Sequence, residues 1–106
     1  MSGTSETPVL DLLAAMTAES MEASNLGAET LMLVRLAALV AVDAPPASYM
    51  MNIGAMAEIG VDVEKVRGVL AAVAPIVGTA RVAAATGNIV RGLALELEVA
   101  ELGTQN

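Results

Sequence analysis

The sequence contains no cysteine, no histidine, no tryptophan and no phenylalanine, and Tyr49 is its single aromatic residue. Without cysteine the chain has no disulfide, no thiolate nucleophile and no resolving thiol. Without cysteine or histidine, zinc and iron sites lack their usual ligands, and only hard-ion sites built from carboxylates stay open. We therefore expect no metal site and no cofactor.

Basic residues are also few, because five lysines and arginines stand against twelve acidic residues, for a formal net charge of −7. The cations are scattered along the chain rather than clustered; they are Arg35, Lys65, Arg67, Arg81 and Arg91. A protein that binds nucleic acid needs a basic surface that displaces counterions from the phosphates. We expect no nucleic-acid partner.

No apolar stretch is both long enough and free enough of charge to span a bilayer, which takes roughly 20 residues. The run at 28–42 contains Glu29 and Arg35, and the run at 68–90 contains a proline, a glycine, an arginine and an asparagine. A signal peptide has a basic segment followed by a long apolar core, and the first residues of this chain have neither. We expect a cytoplasmic protein that does not enter a membrane.

What the sequence does contain is aliphatic residues: 56% of the chain is hydrophobic, and its mean hydropathy is +0.67. Alanine, valine, leucine, isoleucine and methionine make up almost all of this fraction, which favours tightly packed helices over an aromatic-rich sheet. A single domain of 106 residues cannot bury all of this apolar surface by itself. A subunit interface would cover the surplus, so we expect a homo-oligomer.

Helix signals begin after a small, polar segment at 1–7, which we interpret as a flexible arm. Pro8 suits the first turn of a helix of about four turns, with Thr7 as its cap. The polar residues at 24–27 end that helix. The run at 29–42 is apolar on every side, which predicts a buried helix.

A third helix is predicted to start near residues 46–47 and to end at Gly60, because proline is tolerated in a first turn and glycine in a C-terminal cap. Its methionines are typical of adaptable core packing rather than of a cofactor site. Asp62 is predicted to cap a fourth helix, which Pro75 and Gly78 end.

The fifth helix is predicted over 80–102, with Thr79 as its cap, a close helix crossing at Gly87, and a tail at 103–106. The glutamates near its end are interpreted as a solvated face; they are Glu96, Glu98 and Glu101. Together these patterns predict an all-α fold, a compact bundle of about five to six helices in a single domain over 8–102.

Three segments in the middle of the chain resemble a known superfamily. They are LMLVRLAALV at 31–40, GVDVEKVRGVL at 60–70 and VAPIVGTAR at 73–81. These packing and turn patterns resemble those of the carboxymuconolactone decarboxylase and alkylhydroperoxidase D superfamily, although Ala80 stands where that family has a proline. The resemblance implies an alkylhydroperoxidase D-like fold and a ring-like homo-oligomer, commonly a trimer or a hexamer.

The reactive positions of that superfamily hold other residues in this chain. The peroxidase branch uses a glutamate, a Cys-x-x-Cys pair and a histidine, and the matching positions are Leu33, Pro45, Ser48 and Asn52. A serine without a neighbouring base is not activated, and asparagine does not titrate. Thiol peroxidase activity by this chain alone is excluded, and Asn52 also removes the general base of the decarboxylase branch.

Polar side chains nevertheless gather around the start of the third helix, at Asp43, Ser48, Tyr49 and Asn52. A few polar groups at the rim of an apolar layer are typical of a small-molecule site. Alternatively, Asp43 and Ser48 cap helices, and Tyr49 and Asn52 form hydrogen bonds across an interface. Arg35, set in an apolar run, must extend its charge out to solvent or find a carboxylate. Structural pairing, within the chain or across a subunit boundary, is favoured over contact with a ligand.

The sequence thus predicts a homo-oligomer without thiol redox chemistry, which binds a small apolar or lactone-like ligand or serves as an assembly module. The missing catalytic groups favour such a binding or structural protein over an enzyme. Two alternatives stay open: a decarboxylase-type lyase or isomerase using Asp43, Tyr49 or Asn52 on a small lactone or carboxylate, and a scaffold for a cysteine-bearing redox partner. A closed, roomy cavity beside Asn52 would favour the ligand, and a filled one would favour assembly.

Overall fold

A computed structural model describes residues 6–104 of the chain, and the side chains of residues 6–94. This range holds five α-helices and no β-strand: α1 Pro8–Ser24, α2 Ala28–Ala41, α3 Pro46–Glu58, α4 Val63–Val77 and α5 Thr79–Thr104. The prediction of an all-α bundle of five to six helices is confirmed. Residues 1–5 of the predicted arm, residues 105–106 of the predicted tail, and the side chains of the three late glutamates lie outside the described parts.

Most helix ends lie where the turn residues predict them. α3 begins at Pro46, and a first turn has no use for the N–H that proline lacks. Gly60 has a φ of +77°, a left-handed conformation that glycine adopts without strain. The Asp62 carboxylate then accepts a hydrogen bond of 3.1 Å from the backbone N–H of Lys65 and caps α4.

Thr7 occupies the predicted cap position before α1, although it makes no side-chain capping hydrogen bond and its hydroxyl donates to the Asp11 carboxylate at 3.3 Å. Two other predictions at helix ends are wrong. Pro75 lies inside the last turn of α4 instead of ending it. Because proline has no N–H, the carbonyl of Ala71 lacks its usual helical donor, but Ala71 is exposed and water can reach it. Thr79 is the first residue of α5 rather than its cap.

The core lies between α2, α3 and α5, with α4 packed along its edge. Tyr49, Leu36 and Val40 are its largest fully buried side chains. Around them lie the other buried apolar residues, namely Leu31, Met32, Ala44, Met56 and Ala85. On α4 the residues partly buried against this cluster are Val66, Val69, Leu70, Val73 and Val77. Lys65 of α4 forms an ion pair with Glu29 of α2. α1 contributes no buried residue at all.

The prediction that α2 is buried on every side is wrong for the single chain. Leu36 is 1% exposed, but Val34 on the same helix is 52% exposed. Likewise Met51 of α3, expected in the core, is 74% exposed. Helices α3 and α4 cover one side of α2, while α1 is too loosely packed to cover the other.

The close helix crossing lies at Gly92, not at Gly87 as predicted. A Cβ atom at Gly92 would stand 2.9 Å from the backbone oxygen of Pro46, whereas one at Gly87 would meet only the Arg91 side chain at 3.6 Å. Both glycines lie in α5, but only Gly92 is on the side that faces α3. No helix in the described part of the chain is long and apolar enough to cross a membrane.

Candidate functional site

Helices α1, α2 and α3 line an open groove of about 570 Å³, which we name the α1 groove. Its lining residues are Leu13, Met16, Thr17, Ser20, Met21, Met32, Arg35, Ala38, Leu39, Ser48, Met51, Asn52 and Ala55. The walls are mostly methionine, leucine and alanine, so the groove is apolar with a few polar groups. That composition and this volume are usual for small-molecule sites.

Each wall of the groove is one face of a helix. The α1 residues follow the spacing of a single helical stripe, from Leu13 to Met21, and the α3 residues do so from Ser48 to Ala55. The groove stays open because α1 does not settle onto the bundle: Leu13 is 50% exposed and Met16 is 54% exposed. The space beside Asn52 is therefore open, so it is neither the closed cavity that would favour a ligand nor the filled space that would favour assembly.

Arg35 joins α1 to α2 across the groove. Its Nη2 donates to the backbone oxygen of Thr17 at 3.3 Å and to the hydroxyl of Ser20 at 3.2 Å. No carboxylate of the described residues lies within 4.0 Å of this guanidinium, in contrast to Lys65 and Arg67, which are paired. The expected pairing with a carboxylate inside the chain is therefore not present among the described residues.

Asn52 and Ser48 form the polar part of the α3 wall. The Asn52 side chain is buried, and its Nδ2 donates to the backbone oxygen of Met32 at 3.4 Å and contacts the Met56 sulfur at 3.3 Å. The backbone oxygen of Met32 can only accept a hydrogen bond, so the nitrogen of the Asn52 amide must face it. This contact fixes the orientation of the amide and leaves the Asn52 Oδ1 for a donor in the groove. The Ser48 hydroxyl is half-buried and has no partner among the described residues.

Tyr49 and Asp43 lie outside the groove. Tyr49 is fully buried beneath α5, and its hydroxyl has no hydrogen-bond partner among the described residues. Asp43 is exposed in the α2–α3 turn, with a φ of +56°. Burial raises the pKa of the Tyr49 hydroxyl, and the negative charge of Asp43 raises it further.

Of the two expected helix caps, one is present. α3 is preceded by Pro45 and has no side-chain cap, so Ser48 does not cap it. Asp43 does end α2: it has a φ of +56°, and its backbone N–H donates to the Val40 oxygen at 3.2 Å while that of Ala44 donates to the Leu39 oxygen at 3.0 Å. The alternative interpretation as a cap is therefore wrong for Ser48 and confirmed for Asp43.

Of the five predicted site residues, the structure brings Arg35, Ser48 and Asn52 to one groove. Among its described lining residues only Arg35 carries a charge, and none is a carboxylate. No group of three or more acidic residues that could hold a metal ion occurs in residues 6–94. The groove thus has the chemistry of binding, without a base or an acid for proton transfer.

The sequence did not identify the α1 wall of the site. Leu13, Met16 and Met21 are apolar at helical spacing, which predicted an amphipathic helix but not its neighbour. The signal for Thr17 and Ser20 was weaker, because they are ordinary polar residues until Arg35 is placed beside them. Only the packing of α1 against α2 shows that they share a site.

In comparisons with known proteins, no family model, no curated protein and no solved structure matches this chain.

Proposed function

We propose that this chain is a non-redox helical binding protein whose α1 groove holds a small apolar molecule. The observation that carries the proposal is the open, apolar space of about 570 Å³ into which Arg35, Ser48 and Asn52 converge. These polar groups would orient a ligand, while the methionine and leucine side chains would remove its apolar part from water. Membership of the carboxymuconolactone decarboxylase-like superfamily, without its catalytic residues, is part of the same proposal.

The binding test uses the uncharged fluorescent probe N-phenyl-1-naphthylamine with the full chain. We expect its fluorescence to rise on binding and the Ala38→Trp variant to bind at least about tenfold more weakly, or ~1.4 kcal/mol, because the indole occupies the groove. Ala38 is an exposed residue of the α2 wall, so this change leaves the core intact. Ala72→Trp, at an exposed position of α4 outside the groove, is the matched control. Equal binding by both variants would contradict the proposal.

Self-association is a second candidate function, favoured by the exposed surface. The accessible surface of the chain is 7157 Å². A folded monomer of this mass exposes about 5,500 Å², so the surplus of roughly 1,600 Å² is comparable to the total area of a standard protein interface. The radius of gyration of 15.3 Å also exceeds the roughly 13 Å of an ordinary single domain of this length.

The exposed side chains of the described residues include many large apolar ones. Large hydrophobic side chains are exposed along α1 and elsewhere; examples are Val9, Leu10, Leu12, Val42 and Ile76. We expect sedimentation velocity on the purified chain to show a homo-oligomer, with a trimer or a hexamer as the species implied by the family resemblance. A monomer at micromolar concentration would rule out this second function and leave the binding proposal untouched.

A further inference from the structure

Arg35 has no carboxylate partner among residues 6–94; Arg81 and Arg91 have none there either, but both are exposed, whereas Arg35 is half-buried and lines the groove. The contacts of Arg35 in residues 6–94 are with neutral oxygens. A cation that has lost part of its hydration and faces apolar walls attracts an anion more strongly than an exposed one. The groove is therefore apolar in its walls and positive at one point.

The guanidinium also has donors to spare. Its Nη2 is occupied by Thr17 and Ser20, while the N–H groups of Nε and Nη1 have no acceptor among the described residues. A carboxylate accepts charge-assisted hydrogen bonds from such groups, and these are roughly twice as strong as neutral ones. Arg35 can thus hold α1 and an anion together.

The rest of the groove limits the anion to one with an apolar body and a single charge. Met32, Leu39 and Met51 line the walls beside Arg35, and only Ser48 and Asn52 add polar groups on α3. A polyanion would gain from one arginine but would be repelled by a chain of net charge −7.

We propose that the α1 groove binds a monocarboxylate with an aliphatic tail, with its carboxylate on Arg35 and its tail along the methionine and leucine walls. This rests on the proposed function, since it names the ligand class of the same groove. The carboxylate supplies the anion that Arg35 lacks, and the tail replaces water against apolar side chains.

The test measures displacement of N-phenyl-1-naphthylamine by decanoate and by decan-1-ol, which share a chain length and differ in charge. At pH 7 and below the micelle concentration of decanoate, we expect decanoate to bind the unmodified chain at least about tenfold more tightly than decanol. In Arg35→Gln this preference should disappear, because decanoate should lose about tenfold more affinity than decanol does. Arg67→Gln, which removes the same charge at an exposed site on α4, should keep the preference.

Two further variants separate the charge from the contact with α1. Arg35→Lys keeps the cation and should keep most of the preference, and Ser20→Ala, which changes a lining residue but leaves the charge of Arg35, should keep much more of it than Arg35→Gln does. If Ser20→Ala abolished the preference as Arg35→Gln does, Arg35 would be a positioning residue for α1 and the inference would fall. If decanol bound as well as decanoate, the inference would fall but the binding function would stand; if neither ligand nor the probe bound, both would fall.

Discussion

Gly92 of α5 lies directly against Tyr49 of α3. A Cβ atom at position 92 would be 2.9 Å from the Pro46 oxygen, 3.0 Å from the Tyr49 Cβ and 3.1 Å from the Met50 nitrogen. Two of these three neighbours are backbone atoms, which cannot turn aside as the end of a flexible side chain can. The contact between α3 and α5 therefore depends on the absence of a side chain at Gly92.

Substitution Gly92→Ala should destabilise the chain by about 1–3 kcal/mol, because the added methyl group overpacks a backbone contact and forces α5 away from α3. Urea unfolding followed by circular dichroism measures the change in the free energy of unfolding.

Gly68→Ala is the matched control, since Gly68 is an exposed residue inside α4 and a Cβ atom there meets nothing within 4 Å. It should stabilise the chain by up to about 1 kcal/mol, as alanine is the better helix former. Opposite signs are expected for the two changes, and two changes of the same sign would contradict the crossing at Gly92.

Tyr49→Phe should leave the free energy of unfolding unchanged or raise it by about 1 kcal/mol, because the Tyr49 hydroxyl is buried without a partner among the described residues. Replacing it by an apolar ring of the same shape removes an unsatisfied polar group and keeps the packing. A marked loss of stability in urea would mean that the hydroxyl has a partner in solution.

Tyr49 should also make the free energy of unfolding depend on pH above 10.0, the ordinary pKa of tyrosine. The pKa of Tyr49 is raised from 10.0 by burial and by Asp43, so the folded state holds the proton more tightly than the unfolded state does. The contribution of the protonated Tyr49 hydroxyl to the free energy of unfolding is complete below pH 10. It should fall as the pH rises from 10 through the raised pKa. Because Tyr49 is the only tyrosine, its ionisation can be followed by absorbance near 295 nm, and Tyr49→Phe should show the smaller loss at high pH.

Helix boundaries could be predicted from the sequence because they depend on a few neighbouring residues. Asp62 and Gly60 act on backbone groups within one turn of themselves, and both act as predicted. Burial could not be predicted in the same way. Val34 and Leu36 are both aliphatic and two residues apart, yet only Leu36 faces the other helices.

The candidate site could likewise be predicted only in part, because spacing places residues on one helix face but does not say which helix lies opposite. Ser48 and Asn52 share a helix face by their spacing alone, and both line the groove. Tyr49, next to Ser48, turns into the core instead, and its place depends on Gly92 of α5. Arg35 was a candidate from its charge, but its neighbours on α1 depend on how two helices separated by a turn come together.

Substitution Asp62→Ala should cost about 1 kcal/mol of stability, because the Lys65 N–H at the start of α4 would lose its side-chain acceptor and keep only the Asp62 backbone oxygen at 3.2 Å. Asp62→Asn keeps an acceptor oxygen at the same place and should cost no more than a few tenths of a kcal/mol. Thermal unfolding of the two variants side by side makes the comparison. Equal losses would show that the charge of Asp62 matters more than its capping hydrogen bond.

Deletion of residues 1–24 tests whether α1 is a wall of the groove rather than a part of the core. α1 contributes no buried residue, and its described side-chain hydrogen bonds to the other helices come from Arg35. We expect the shortened chain to stay helical, to unfold in one cooperative transition and to lose no more than about 2 kcal/mol, while it loses affinity for N-phenyl-1-naphthylamine.

The control for that deletion is the paired variant Leu13→Ser and Met16→Ser, which keeps α1 but makes its groove face polar. It should weaken probe binding in the same direction with less effect on helix content, because both side chains are already half-exposed. If the deletion instead unfolded the chain, α1 would be part of the folding unit. If the deletion left probe binding intact, the probe would bind elsewhere, and the α1 groove would not be the ligand site.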